Sequence, residues 1–142
     1  MNDKVFGEMI FRFGWTKTES IQLWNKTCEV RVRTSSKKDE FPTEAQQAAY
    51  IRYKQEILNL LNNAQGQVKT FICSYEEEIN DSLGEFDEDN ALDYISLKEV
   101  LFFKNGKYAL LFDTQWSESG MAILCSADKY EIGESYIVEF EQ

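Results

Sequence analysis

No histidine occurs in the 142 residues. That removes the commonest general base and the commonest side-chain ligand for transition metals. Proline occurs once, and no stretch is rich in serine and glycine, so nothing in the composition marks an internal linker. Apolar runs are short, and none approaches the roughly 18 residues of a membrane-crossing helix. Cysteine is limited to Cys28, Cys73 and Cys125, odd in number and far apart. That is the usage of a reducing compartment, with thiols serving as small buried apolar groups. The first residues, Met1–Phe13, hold an early Asp3 and no long apolar stretch, which argues against a secretory leader; cytoplasmic localisation is the expectation. The P-loop, GxGxxG, CxxC, GxSxG and HExxH patterns are missing as well.

What is present is enough for one core. Apolar residues make up 43% and aromatics 14% of the chain, so it reads as a single globular domain over residues 1–142. The net charge of −10 is unevenly spread: residues 1–69 carry 11 Lys/Arg against 8 Asp/Glu, and residues 70–142 carry 4 against 17. From Glu76 to Asp93 there are nine carboxylates and no cation. Such a field repels nucleic acid and attracts basic partners.

Alternation and turn residues predict three N-terminal strands: Val5–Phe13, Ile21–Trp24 and Cys28–Arg33, the last two joined by Asn25-Lys26. Cys28, Val30 and Val32 point inward in the third, leaving a basic outer face of Arg31 and Arg33. Pro42-Thr43-Glu44-Ala45-Gln46 opens a helix, with Thr43 and Gln46 at capping-box spacing. Its stripe is Ala49, Tyr50, Tyr53, Ile57, Leu60, Leu61 and Ala64, and Asn62-Asn63 and Gly66 are expected to end it. A second helix over Gln67–Ile79 competes with a strand reading of Val68–Tyr75. Asp81–Tyr94 reads as an acidic loop anchored by Phe86 and Leu92. The clearest signal is Ser96–Cys125. Asn105-Gly106 between apolar runs predicts a two-residue type I′ hairpin in which Phe103 opposes Tyr108 and Leu101 opposes Leu110. Met121–Cys125 and Glu134–Phe140 complete a C-terminal meander. The expected fold is α+β: an antiparallel sheet of six or seven strands, with two helices between its N-terminal and C-terminal meanders.

Two stretches invite chemistry. Asp87-Glu88-Asp89-Asn90 starts like a calcium loop, but Ala91 stands where a third oxygen ligand is due, no glycine follows and Glu99 is at the wrong distance. The loop Asp113–Gly120 carries Asp113, Trp116 and Glu118, a carboxylate pair beside an aromatic, with Gly120 supplying a positive φ. No third catalytic group accompanies them. No catalytic, cofactor-binding or metal-binding residue is therefore expected. The candidate partner-binding residues are Glu76, Glu77, Asp81, Glu85, Asp87, Glu88, Asp89, Asp113, Trp116 and Glu118. Arg12, Arg31, Arg33, Lys37 and Lys38 form a basic counterpart that lacks the interleaved aromatics of a nucleic-acid site.

FGEMIFRFGW near the start, PTEAQQAAY at the helix opening and LFFKNGKYALLFDTQWSESGMAI near the end resemble a family of small uncharacterised bacterial proteins. These carry a domain of unknown function and are immunity-protein-like. The shared residues are turns, caps and core strands, so the resemblance implies the fold and toxin-neutralising binding, and it carries over no catalytic residue. The functional expectation is a non-catalytic protein whose acidic half neutralises a basic protein toxin, with no nucleic-acid or membrane partner. The alternatives are a structural or housekeeping module and, with less support, a small carboxylate- or metal-dependent enzyme using Asp113 and Glu118.

Overall fold

A computed structural model describes residues 1–139 and 141. Strands β1 (Asn2–Asp3) and β2 (Gly7–Glu8) form a small antiparallel ribbon. Strands β3 (Ile10–Phe11), β4 (Trp15–Leu23), β5 (Lys26–Thr34), β6 (Ile95–Phe102), β7 (Tyr108–Thr114), β8 (Ser117–Cys125) and β9 (Tyr130–Glu134) form a seven-stranded sheet in chain order. Between β5 and β6 lie α1 (Glu44–Cys73), α2 (Glu76–Leu83) and a 3-10 segment, Glu88–Tyr94.

The fold is α+β, but the sheet is mixed. β5 and β6 run parallel, Arg31 opposite Glu99 and Thr34 opposite Phe102, where an antiparallel sheet was expected. The cause is the connection. With 30 residues, α1 is about 45 Å long, so it carries the chain back past the full length of β5 and β6 must start from the same end. Between the strand groups stand three helical elements, not two: the expected break at Asn62-Asn63 and Gly66 does not occur, the chain breaks instead at Ser74-Tyr75 within the helix expected over Gln67–Ile79, and the expected acidic loop contains the 3-10 segment. Ala64, Val68 and Ile72 are fully buried on the stripe begun by Ala49 and Tyr53, and that burial outweighs the poor local propensity. The capping box at Thr43 and Gln46 is formed as read, and Gln46 also reaches the Phe102 carbonyl at 3.1 Å.

The hairpins differ in detail. Asn105-Gly106 does not make a type I′ turn, since only Gly106 has a positive φ (88°). The loop closes through the Phe103 and Lys107 backbones (3.0 Å), so Phe102 pairs with Tyr108 and Leu101 with Ala109, one residue from the expected register. One left-handed glycine after a type I turn gives a three-residue loop. The two-residue turn with both positions at positive φ is Trp24-Asn25 (48° and 69°), between Leu23 and Lys26. Trp24 is held there because its indole N–H donates to the Leu61 carbonyl of α1 at 3.1 Å and its ring stacks on Phe112. The single N-terminal strand expected over residues 5–13 is split, Trp15 opening β4. Residues 135–138 form a 3-10 turn after β9 instead of a strand, and Phe140 lies outside the described residues.

One face of the sheet packs on α1. Tyr50 and Tyr53 meet Phe6, Phe102 and Tyr108 there, with ring centroids 4.4–5.6 Å apart between the two groups. The other face carries a smaller cluster of Leu101, Phe103, Ala109 and Leu124 beneath Ile137 and Val138. The three thiols are free: Cys125 is fully buried as expected, Cys28 only half-buried, and Cys73, whose spacing sets it off the apolar helix face, is half-buried. Among the described residues, no helix is long and apolar enough to cross a membrane.

Candidate functional site: the acidic end

After α1 stops at Cys73, the chain turns through Ser74 and Tyr75 into α2. Glu76, Glu77 and Glu78 occupy the first turn of α2, where carboxylates favour the positive end of the helix dipole. Only Ile79 is fully buried on this helix, so its other faces carry charge. The segment that follows is not an open loop. Phe86 and Tyr94 face each other at 5.5 Å, the Tyr94 hydroxyl accepts from the Asp87 backbone at 2.9 Å, and Ala91 is buried. The anchors Phe86 and Leu92 pack half-buried against the core, as expected.

The structure thus gathers Glu76, Glu77, Asp81, Glu85, Asp87, Glu88 and Asp89, all exposed, on α2, the 3-10 segment and the turn between them. None forms an ion pair among the described residues. Glu78 belongs with them and was missed, although it lies in the same acidic run. Asp93 differs: it pairs with Lys26 at the start of β5 and ties the 3-10 segment to the sheet. Glu88 and Glu76 both act on Cys73, whose thiol is pushed up first by burial and then by these two charges, so it is a poor nucleophile.

Asp113, Trp116 and Glu118 do not form one site: the two carboxylates share a depression, while Trp116 leaves them for Tyr75, next to Glu76. The expected Asp113–Gly120 loop is a tight hairpin, with Thr114 opposite Ser117 and only Gln115-Trp116 at the tip. Gly120 does have the expected positive φ (72°), at a bulge where an added Cβ would meet the Phe112 carbonyl at 2.9 Å. Asp113 and Glu118 line an open depression of about 370 Å³ with Lys98 and Glu99. Trp116 stacks at 5.3 Å on Tyr75, in the turn between α1 and α2. Burial, with Glu134 bound to its neutral hydroxyl, pushes Tyr75 up to about 12. Among the described residues, no three carboxylates or thiols converge in a way that would hold a metal ion.

The basic face is partly neutralised within the fold. Arg33 binds Glu99 at 2.7 Å and Arg31 approaches the same carboxylate at 3.6 Å, so first-half cations meet a second-half acid across the parallel β5–β6 pair.

Compared with family models, with curated proteins and with solved structures, the chain matches none.

Proposed function

We propose that the chain is a non-catalytic protein-binding protein of the immunity type, whose acidic end engages a basic protein toxin. One observation carries this reading: the carboxylates from Glu76 to Asp89 are exposed and without an ion-pair partner among the described residues, on α2, the 3-10 segment and the turn between them, which Ile79 and Ala91 pin to the core. A fixed field of one sign accelerates encounter with an oppositely charged partner and selects against acidic ones. The chain has no histidine, and Glu99, the third carboxylate lining the depression of Asp113 and Glu118, is already held by Arg33 at 2.7 Å, which favours binding over catalysis.

The test is co-expression with toxin-like products of neighbouring genes, followed by binding measurements on any pair that restores growth. Asp81→Lys with Glu85→Lys is expected to weaken such a complex at least tenfold at low salt. It should also flatten the salt dependence. Protection by none of the neighbours, or a complex indifferent to this double change, overturns the reading.

A further inference from the structure

The feature least explained by folding lies at the opposite end of the molecule. Phe13 is 90% exposed, more than the other exposed large apolar residues, and its φ is 59°, a region that bulky side chains rarely enter. It sits in the three-residue turn between the paired Phe11 and Trp15, closed by the Arg12 N–H donating to the Gly14 carbonyl at 2.8 Å. Three contacts hold the turn from outside. Gly14 (φ 128°) lies so close to Thr34 that an added Cβ would come within 2.1 Å of its carbonyl oxygen. Arg33, anchored on Glu99, donates to the Phe13 carbonyl at 2.8 Å, and the Trp15 indole donates to the Glu40 carbonyl at 2.6 Å. A rigid frame therefore presents an aromatic ring that packs on nothing in the core. Asparagine or glycine would hold the same backbone with less strain.

Beside the turn is an open depression of about 370 Å³ lined by Ile10, Arg12, Thr18 and Arg31, among others. Ile10 is 53% exposed. Arg12 has no ion-pair partner among the described residues, and the exposed Arg31 touches Glu99 only at 3.6 Å. Glu8 also lines this depression, but it approaches the terminal ammonium group at 3.7 Å.

We propose that the β3–β4 turn is a docking surface for a short acidic, apolar-containing segment of another protein. Phe13 is the anchor, and Arg12 and Arg31, which line the one depression beside the turn, take carboxylates there. Aromatic and arginine side chains are the types that most often dominate interface energetics. The acidic end does not forbid an anionic ligand here, because β4 alone separates the two ends by roughly 30 Å, several Debye lengths in salt of about 0.1 M. A short segment feels only the local guanidinium groups. A long polyanion such as nucleic acid would overlap the acidic end and be repelled.

The experiment uses the full isotope-labelled chain and three labelled 12-residue peptides: alternating Glu and Leu, alternating Lys and Leu, and alternating Glu and Ala. The Glu–Leu peptide is expected to shift amide resonances of residues 10–18 and 31 selectively. The Glu–Ala peptide should bind at least tenfold more weakly, and the Lys–Leu peptide should leave those resonances unmoved. Phe13→Asn, which suits the left-handed backbone, should cost about tenfold in affinity with the melting temperature unchanged or raised. Arg12→Ala with Arg31→Ala should remove the salt dependence. Equal binding of the two glutamate peptides, wild-type affinity in Phe13→Asn, or shifts mapping elsewhere overturns the proposal. So do the same shifts appearing on raising protein concentration alone, which would make a second copy the occupant.

Discussion

Glu19 shows how a charged residue of β4 is kept on the face that packs against α1. Its carboxylate accepts from the Tyr50 hydroxyl and from Lys54 at 3.2 Å, and it pairs with Lys17 at 3.0 Å. Burial pushes the carboxyl up, but the hydrogen bonds from Tyr50, Lys17 and Lys54 outweigh it and hold the group below the usual glutamate range. A carboxylate held low when folded stabilises the fold above its unfolded value, near 4.3, and loses that contribution as pH falls through the folded value. Glu19→Gln should therefore cost about 1–2 kcal/mol at pH 7. The gap between variant and wild type, followed by urea midpoints, should stay flat down to pH 5 and close below pH 4. A gap that persists at pH 3 would mean that shape, not charge, is what Glu19 supplies. The sequence carried no sign of this network, since Glu19 and Tyr50 are 31 positions apart and meet only once α1 lies on the sheet.

At the scale of elements, the legible features were those whose signal is local. The Thr43–Gln46 capping box, the stripe from Ala49 to Ala64 and the strands around Val30 and Leu110 all follow from spacing within a few residues. What escaped was decided at a distance. Trp24 adopts a left-handed turn because α1 supplies a carbonyl for its indole, and α1 runs through Gly66 because Val68 and Ile72 find buried sites. The parallel β5–β6 pair follows from the length of that helix, which no strand pattern reveals. Gly66 is thus a weak point tolerated for the sake of burial on either side. It is exposed, its φ is helical, and a methyl group added there meets nothing within 4 Å. Gly66→Ala should stabilise the protein by about 0.4–1 kcal/mol, partly by restricting the unfolded chain. Chemical denaturation reads this directly, and an unchanged or lower midpoint would show that the helix needs flexibility at that point.

On the scale of the whole molecule, ion pairs support the sheet, but part of the acidic end is arranged against stability. The carboxylates of Glu76–Asp89 gather where α1 presents the negative end of its dipole with no basic residue in its last turn, and Asp81 stands near the C-terminus of α2, where a negative charge is unfavourable. The candidate site was readable in the sequence as a run of acids, but not that its members would be exposed, without ion-pair partners among the described residues, and separate from Asp113 and Glu118. Unpaired like charges held together on helices raise the energy of the folded state more than that of the expanded chain. Reversing two of them should relieve this. Asp81→Lys with Glu85→Lys is expected to raise stability by about 0.5–1 kcal/mol at low ionic strength, with the gain shrinking as salt screens the repulsion. Urea midpoints in low and in high salt measure both effects. If the same two substitutions stabilise the free protein and weaken its complex, the acidic end is maintained for a partner at the expense of the fold. A double variant less stable than wild type at low salt would instead give these carboxylates a structural role, and the case for an acidic docking end would fail.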